Sequence, residues 1–434
     1  KSNVTFTVST TEPTRSGWGF DGWDTNKNAT TGKYGKSPKT TTISVNVNTT
    51  LYAIWNKTLT ANFYYINATN NQTVKETKTV TIYNGATSGN VTCPTTPANV
   101  TYNGRTFTWA GWRANDQTAG AATKTGLTQS ISTDTNFFAV YSGTLTLSYN
   151  ANGGSGAPTS QTGTQYLNAT ATTGTANAFA KSNVTFTVST TEPTRSGWGF
   201  DGWDTNKNAT TGKYGKSPKT TTISVNVNTT LYAIWNKTLT ANFYYINATN
   251  NQTVKETKTV TIYNGATSGN VTCPTTPANV TYNGRTFTWA GWRANDQTPG
   301  AATKTGLTQT IGADTSFYAV YSGTLTLSYN ANGGSGAPTS QTGTQYLNAT
   351  ATTGTANAFA KSNVTFTVST TEPTRSGWEF DGWAKTASAT SGTYGASPKT
   401  TSISVNVNTT LYAIWNKIVN VYFYSGENKA TVYT

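Results

Sequence analysis

The two acids that lie closest together around the repeated core motif of this 434-residue chain are Asp201 and Asp204. Paired carboxylates are a minimum for general acid–base work, in which one holds a proton and the other takes one. Two facts argue against that use. The usual base, histidine, is absent from the chain, which also removes Ser-His-Asp triads and most transition-metal sites. The pair is also not kept between copies: Asp381 stands where Asp201 does, but Ala384 replaces the second acid. An Asp beside Gly202 is read as holding a turn. No Gly-rich phosphate loop or EF-hand pattern occurs. Catalytic, cofactor-binding and metal-binding residues are therefore all expected to be none, and an enzyme is not expected.

Binding chemistry has more candidates. Ring faces stack on sugars, and Trp198, Tyr232, Tyr244 and Tyr245 could form such a platform, although their place in alternating strands favours packing. Asn-x-Thr sequons fall on loops at Asn208, Asn247 and Asn251, which are candidate glycosylation sites in an extracellular chain. Cys93 and Cys273 lie 180 residues apart, whereas a disulfide needs Cα atoms within about 7 Å. Each is read as a small buried residue, with an interchain disulfide as the alternative. The net charge is +14, but the basic residues never cluster into a stripe, so nucleic acid is not an expected partner. Weak attraction to anionic cell-wall polymers fits a diluted positive field. No apolar run is long enough for a membrane span in this segment, and no signal peptide is seen.

The elements that would position these residues come from repetition. Lys1–Phe6 returns at Lys181–Phe186 and Lys361–Phe366, and Gly-Trp pairs end at Trp23, Trp112, Trp203, Trp292 and Trp383. Two module types of about 90 residues alternate, A with Asp-Gly-Trp and B with Ala-Gly-Trp. The expected domains are a partial A module at 1–56, B at 57–143, A at 144–236, B at 237–323, A at 324–416, and the start of a further B module at 417–434. The partial modules at both ends suggest a piece cut from a longer array. Charged residues make up only 11% and aromatics 12%, so the chain is folded behind a neutral, Thr-rich exterior.

Within a module apolar residues alternate with Thr, Ser or Asn, as at Val184-Thr185-Phe186-Thr187-Val188 and Ile223–Asn228, the period of a half-buried strand. Asn283-Gly284 between two such runs predicts a type I′ hairpin. One stretch, Ala171–Lys181, could form a turn or two of helix, although its Thr and Gly content works against it. The expected fold class is mainly β, a tandem array with about six strands per module. The expected core motif is Trp198, Phe200, Gly202, Trp203, Leu231 and Trp235 in A, with Trp289, Gly291 and Trp292 in B. Gly202 is expected to let the backbone bulge or approach a neighbour. Arg195 is placed to stack on Trp198.

At these residues a family comes into view. The run Leu147–Gly154, the stretch Pro193–Trp203 and the closing Leu231–Trp235 resemble the Listeria–Bacteroides repeat, also called the internalin B-type repeat. The B module looks like a divergent member, with Phe287–Trp292 for the central strand and Phe317–Tyr321 for the last. The resemblance implies β-grasp-like modules strung along extracellular, cell-surface proteins as spacers or adhesive stalks, with no catalytic residues. The expected function is a structural stalk or filament segment whose main partner is itself, through neighbouring modules or other copies in a fibre or layer. The alternative is an adhesin that binds glycans or cell-wall polymers.

Overall fold

In the computed structural model residues 1–421 are described, and they form strands, turns and bridges with no helix among them. They fall into two compact units, Lys1–Trp235 and Asn236 onward. The predicted alternation sets the faces: in Val184–Thr187 Phe186 is buried while Thr185 and Thr187 are exposed. β-Branched Thr suits the outer face because its side chain fits the pleat.

In the first unit a five-strand sheet runs Thr73–Tyr83, Tyr52–Ile66, Thr135–Asn150, Arg105–Ala114, Val100–Tyr102. The pair joining Tyr52–Ile66 to Thr135–Asn150 is parallel, with Ala61 beside Thr135 and Tyr64 beside Phe138, and the other neighbours are antiparallel. A short ribbon, Gly89–Thr92 with Thr128–Ile131, adds Val91 and Ile131 to a core of Leu59, Phe63, Phe107, Trp112 and Phe137.

Residues 144–235 repeat the arrangement. Gln161–Asn168 lies antiparallel to Thr135–Asn150, whose end runs parallel to the next long strand from Leu147 beside Thr229 to Asn150 beside Tyr232. Val184–Thr187 and Thr222–Val225 form the ribbon. The second unit shows both patterns again, with Thr315–Asn330 antiparallel to Gln341–Asn348 and parallel to Thr409–Lys417.

Long strands run straight through the boundaries set by the repeats. Tyr52–Ile66 crosses 56/57, Thr135–Asn150 crosses 143/144, and Thr315–Asn330 crosses 323/324. The pairing with Gln161–Asn168 already begins at Val140. One strand therefore closes a B segment and opens the following A segment, with no linker between. Gly143 sits at that passage because a Cβ there would lie 2.6 Å from the Phe107 ring.

Two expectations need correcting. Ala171–Lys181 is not helical: Thr173 and Ala176 bridge to Thr73 and Gln72, and the Asn177 N–H donates to the Asn71 carbonyl at 2.8 Å. Backbone groups that a helix would pair internally are taken by the neighbouring segment instead. Residues 144–235 carry seven strands, against about six expected, once the shared strands are counted for both neighbours. The start of a further B module, expected at 417–434, lies largely outside the described residues.

Candidate functional site

The Gly-Trp motif sits where a strand bulges. Pairing shifts register between Phe20 and Gly22, between Trp289 and Gly291, and between Phe380 and Gly382. Gly202 has a φ of 119°, and a Cβ there would lie 2.9 Å from the Tyr214 carbonyl oxygen. Gly202 thus makes the close approach expected of it, and its counterparts Gly22, Gly291 and Gly382 sit at the bulges. The bulge turns Trp203 inward, where it is fully buried with Leu231 and Trp235. Phe200 meets Trp203 edge-on at 5.2 Å and Trp235 at 5.7 Å, and Tyr149 meets Trp203 at 5.0 Å.

The two acids do separate structural work. The Asp201 carboxylate accepts from the Gly212 N–H at 2.8 Å, with the Lys219 ammonium 3.5 Å away. Lys219 also donates to the Gly212 carbonyl at 2.7 Å, so this pair clamps the loop over the bulge. The Asp204 carboxylate accepts from the Asn206 N–H at 2.8 Å, closing a local turn. In the B segment Trp292 is fully buried and donates its indole N–H to the Gly306 carbonyl at 2.9 Å. There an Arg293–Asp296 pair replaces the Asp–Lys clamp. Its Thr298 and Arg293 donors hold the Asp296 carboxyl down at about 2.

Not all of the expected core motif is interior. Trp203, Leu231, Trp235, Trp292 and both motif glycines, Gly202 and Gly291, are buried, but Trp198, Phe200 and Trp289 are only half-buried. Trp198 lies before the bulge, at the margin of the same core, with the Arg195 guanidinium 4.8 Å from its ring centre. Of the other aromatics considered for sugars, Tyr244 is buried against Tyr318 at 5.0 Å, Tyr245 donates to Glu256 at 2.6 Å, and Tyr232 is half-buried.

The sequons divide. Asn208 is exposed. Asn247 is half-buried, and its side-chain oxygen accepts from the Thr249 N–H at 2.8 Å. Asn251 is also half-buried and donates its amide nitrogen to the Thr281 carbonyl at 3.0 Å, so a glycan there would break that bond. Cys93 and Cys273 are free and 2% exposed, each thiol donating to the carbonyl two residues on. Burial pushes both thiols up to about 11. An interchain disulfide would first require the segment to open. Among the described residues no three His, Cys, Asp or Glu side chains gather to hold a metal ion, and no helix is long and apolar enough to cross a membrane.

Sequence reasoning passed over the joints. Arg105 donates to the Thr144 carbonyl at 3.0 Å and to the Gln165 side-chain oxygen at 2.5 Å. Gln165, with no exposure, passes its amide on to the carbonyls of Ser182 at 2.9 Å and Asn226 at 2.7 Å. Arg285 and Gln345 repeat this in the second unit. At the 56/57 joint Asn84 accepts from the Trp55 N–H at 3.1 Å and donates to the Ala29 carbonyl. An Arg and a Gln within Thr-rich alternation were the available signal.

Against known proteins, the family model of the Listeria-Bacteroides repeat domain matches three stretches, residues 1–54, 146–234 and 326–414. These are the A segments. The intervening stretches are outside the matches. No curated protein and no solved structure matches the chain.

Proposed function

Because the chain belongs to the Listeria-Bacteroides repeat family, we propose that it is a non-enzymatic structural segment of a long extracellular stalk or filament. The observation that carries this reading is the shared strand. Where Thr135–Asn150 passes from one segment to the next, no flexible linker intervenes, and the part-buried Arg105–Gln165 link fastens the same joint. Ligand-binding modules that act singly have no need of such continuity, whereas a spacer gains stiffness from it. The family's usual place in surface proteins supports an extracellular location.

Each segment is read as a β-grasp-like module without its helix. What supports this is the parallel pairing of first and last strands at the centre of each sheet, flanked by antiparallel neighbours. On the same strand order the B segments are divergent members of the family. The chief partner is then the neighbouring module, or another copy in a fibre or layer.

The competing reading is an adhesin that binds glycans or anionic cell-wall polymers. Half-buried Trp198 under Arg195 is the feature that favours it. A glycan array with the full chain separates the two. No saturable binding is expected; micromolar binding lost when Trp18, Trp198 and Trp378 are all changed to Ala, with unchanged melting, would replace the stalk by the adhesin. Antibody against the exposed loop at 205–211 should label intact cells, and labelling only after lysis would remove the surface assignment.

A further inference from the structure

Asparagine is followed by glycine six times, at Asn84, Asn103, Asn152, Asn264, Asn283 and Asn332. The pair has a chemistry of its own: the glycine nitrogen can attack the asparagine side-chain carbon, because no Cβ on the glycine stands in the way. All six asparagines hold the same left-handed backbone, with φ between 46° and 51°. Their backbone does not distinguish them, but their surroundings do.

Four are enclosed. The Asn152 amide nitrogen donates to the carbonyls of Lys207 at 2.9 Å and Ala233 at 3.0 Å, and Asn332 does the same with Ala387 and Ala413. Asn84 accepts from the Trp55 N–H and donates to the Ala29 carbonyl, and its counterpart Asn264 is half-buried like it. The neighbouring glycines are crowded too. A Cβ at Gly85 would lie 3.2 Å from the Arg15 guanidinium, and one at Gly153 would lie 3.4 Å from that of Arg195.

Asn103 and Asn283 stand apart. Each opens a two-residue hairpin turn, closed by Tyr102 opposite Arg105 and by Tyr282 opposite Arg285. Both are exposed, and among the described residues neither side chain has a hydrogen-bond partner. A Cβ at Gly104 or Gly284 would meet nothing within 4 Å.

We infer that Asn103 and Asn283 are modification sites at which the chain deamidates itself, with water as the co-reactant. The Gly104 nitrogen bonds to the Asn103 Cγ and gives up its proton, the bond from Cγ to Nδ2 breaks, and the amide leaves as ammonia. Water then opens the five-membered imide at either carbonyl, giving Asp or a β-linked isoaspartate, and nothing is oxidised or reduced. Each conversion places a negative charge two residues before Arg105 or Arg285, the cations that reach Gln165 and Gln345 across the joint. The β-linked product also lengthens the backbone of a turn that has only two residues. The inference is independent of the stalk reading, since it concerns the hairpins alone.

The test incubates the full chain in mildly alkaline heavy-oxygen water, digests it in ordinary water and reads it by tandem mass spectrometry, so that label marks conversion of the intact protein. A held side chain must release its hydrogen bonds before it can turn toward the glycine nitrogen. Asn103 and Asn283 should therefore convert about tenfold faster, or more, than the other four. In urea strong enough to unfold the chain the six rates should converge. Asn103→Gln, whose longer side chain closes the ring far more slowly, should silence that site and leave the Asn283 rate unchanged. Equal rates in the folded chain, or no label at the two hairpin tips, overturn the proposal. So does a gap that persists in urea, which would assign the difference to the residue after each glycine instead of to the fold.

Discussion

Residues 1–56 and 181–236 are the same sequence, yet Trp23 and Trp55 are half-buried where Trp203 and Trp235 have no exposure. The difference is supplied by residues 144–180. Leu145, Leu147 and Tyr149 reach the core from the shared strand, and the Trp235 indole finds the Ala151 carbonyl at 2.8 Å. Even the long strand responds, starting at Thr229 in one copy and at Tyr52 in the other. Identical local propensity thus yields different structure, because a parallel edge needs its partner. The local parts survive without it: the bulge at Gly22, the Trp23–Tyr34 bridge and the Arg15–Trp18 stack are all in place.

Val8 and Val188 offer matched reporters, being 4% and 2% exposed and making the same backbone bond. Val8→Cys and Val188→Cys should label only when their segments open, so labelling rates compare the two copies directly. The largest effect is expected from Leu145→Ala with Leu147→Ala. Each buried leucine lost costs about 2–5 kcal/mol, and a single loss of that size is roughly 30-fold to several thousand-fold in opening. The Val188→Cys rate should rise to that of Val8→Cys. If it stays low, the opening strand is not what closes the segment.

Trp203→Ala should cost about 3–5 kcal/mol at the same reporter. Trp23→Ala, removing a ring that is already partly wet, should cost at least about 1 kcal/mol less at Val8→Cys. Equal costs would break the link between burial and completion. Gln165→Ala removes three part-buried hydrogen bonds, to Arg105, Ser182 and Asn226, for a loss of about 1–3 kcal/mol. It should leave the Val8→Cys rate unchanged, because Arg105, Ser182 and Asn226, the partners of Gln165, all lie outside 1–56.

The smallest effect is in pH. Burial raises the Tyr149 phenol above its ordinary range, despite the Ser189 N–H that it accepts. The raised group contributes stability in full below about 10, the unfolded value, and loses it as the pH climbs through the higher folded value. Labelling of Val188→Cys, normalised to a free peptide thiol at each pH, should therefore drift toward that of Val8→Cys in this range. Tyr149→Phe should abolish the drift, and its persistence would assign it to another group.

Much of this was legible where the cause is local. Asn283-Gly284 makes its hairpin with φ of 47° and 67°, since only two residues are involved. Gly202 and Trp203 announce a bulge and a core ring for the same reason. Trp198 and Trp203 could not be told apart by type, since both pack on one core and only Trp203 is fully covered there. The shared strands were hidden by their own regularity: the alternation in Thr144–Tyr149 does not change where the repeat boundary falls. Gln165 was hidden by distance, its partners Arg105, Ser182 and Asn226 being assembled only by the fold.

The parallel centre of each sheet has a mechanical consequence. Tension on residues 57–143 enters at the start of Tyr52–Ile66 and leaves at the end of Thr135–Asn150, two strands that point the same way. Pulled apart, they slide lengthwise, so the bonds between 61–64 and 135–138 are loaded together instead of being peeled one after another. Because Thr135–Asn150 then hands the load to the next sheet without a slack turn, stretching the chain should give abrupt, widely spaced ruptures, and a smooth low-force extension would contradict this load path.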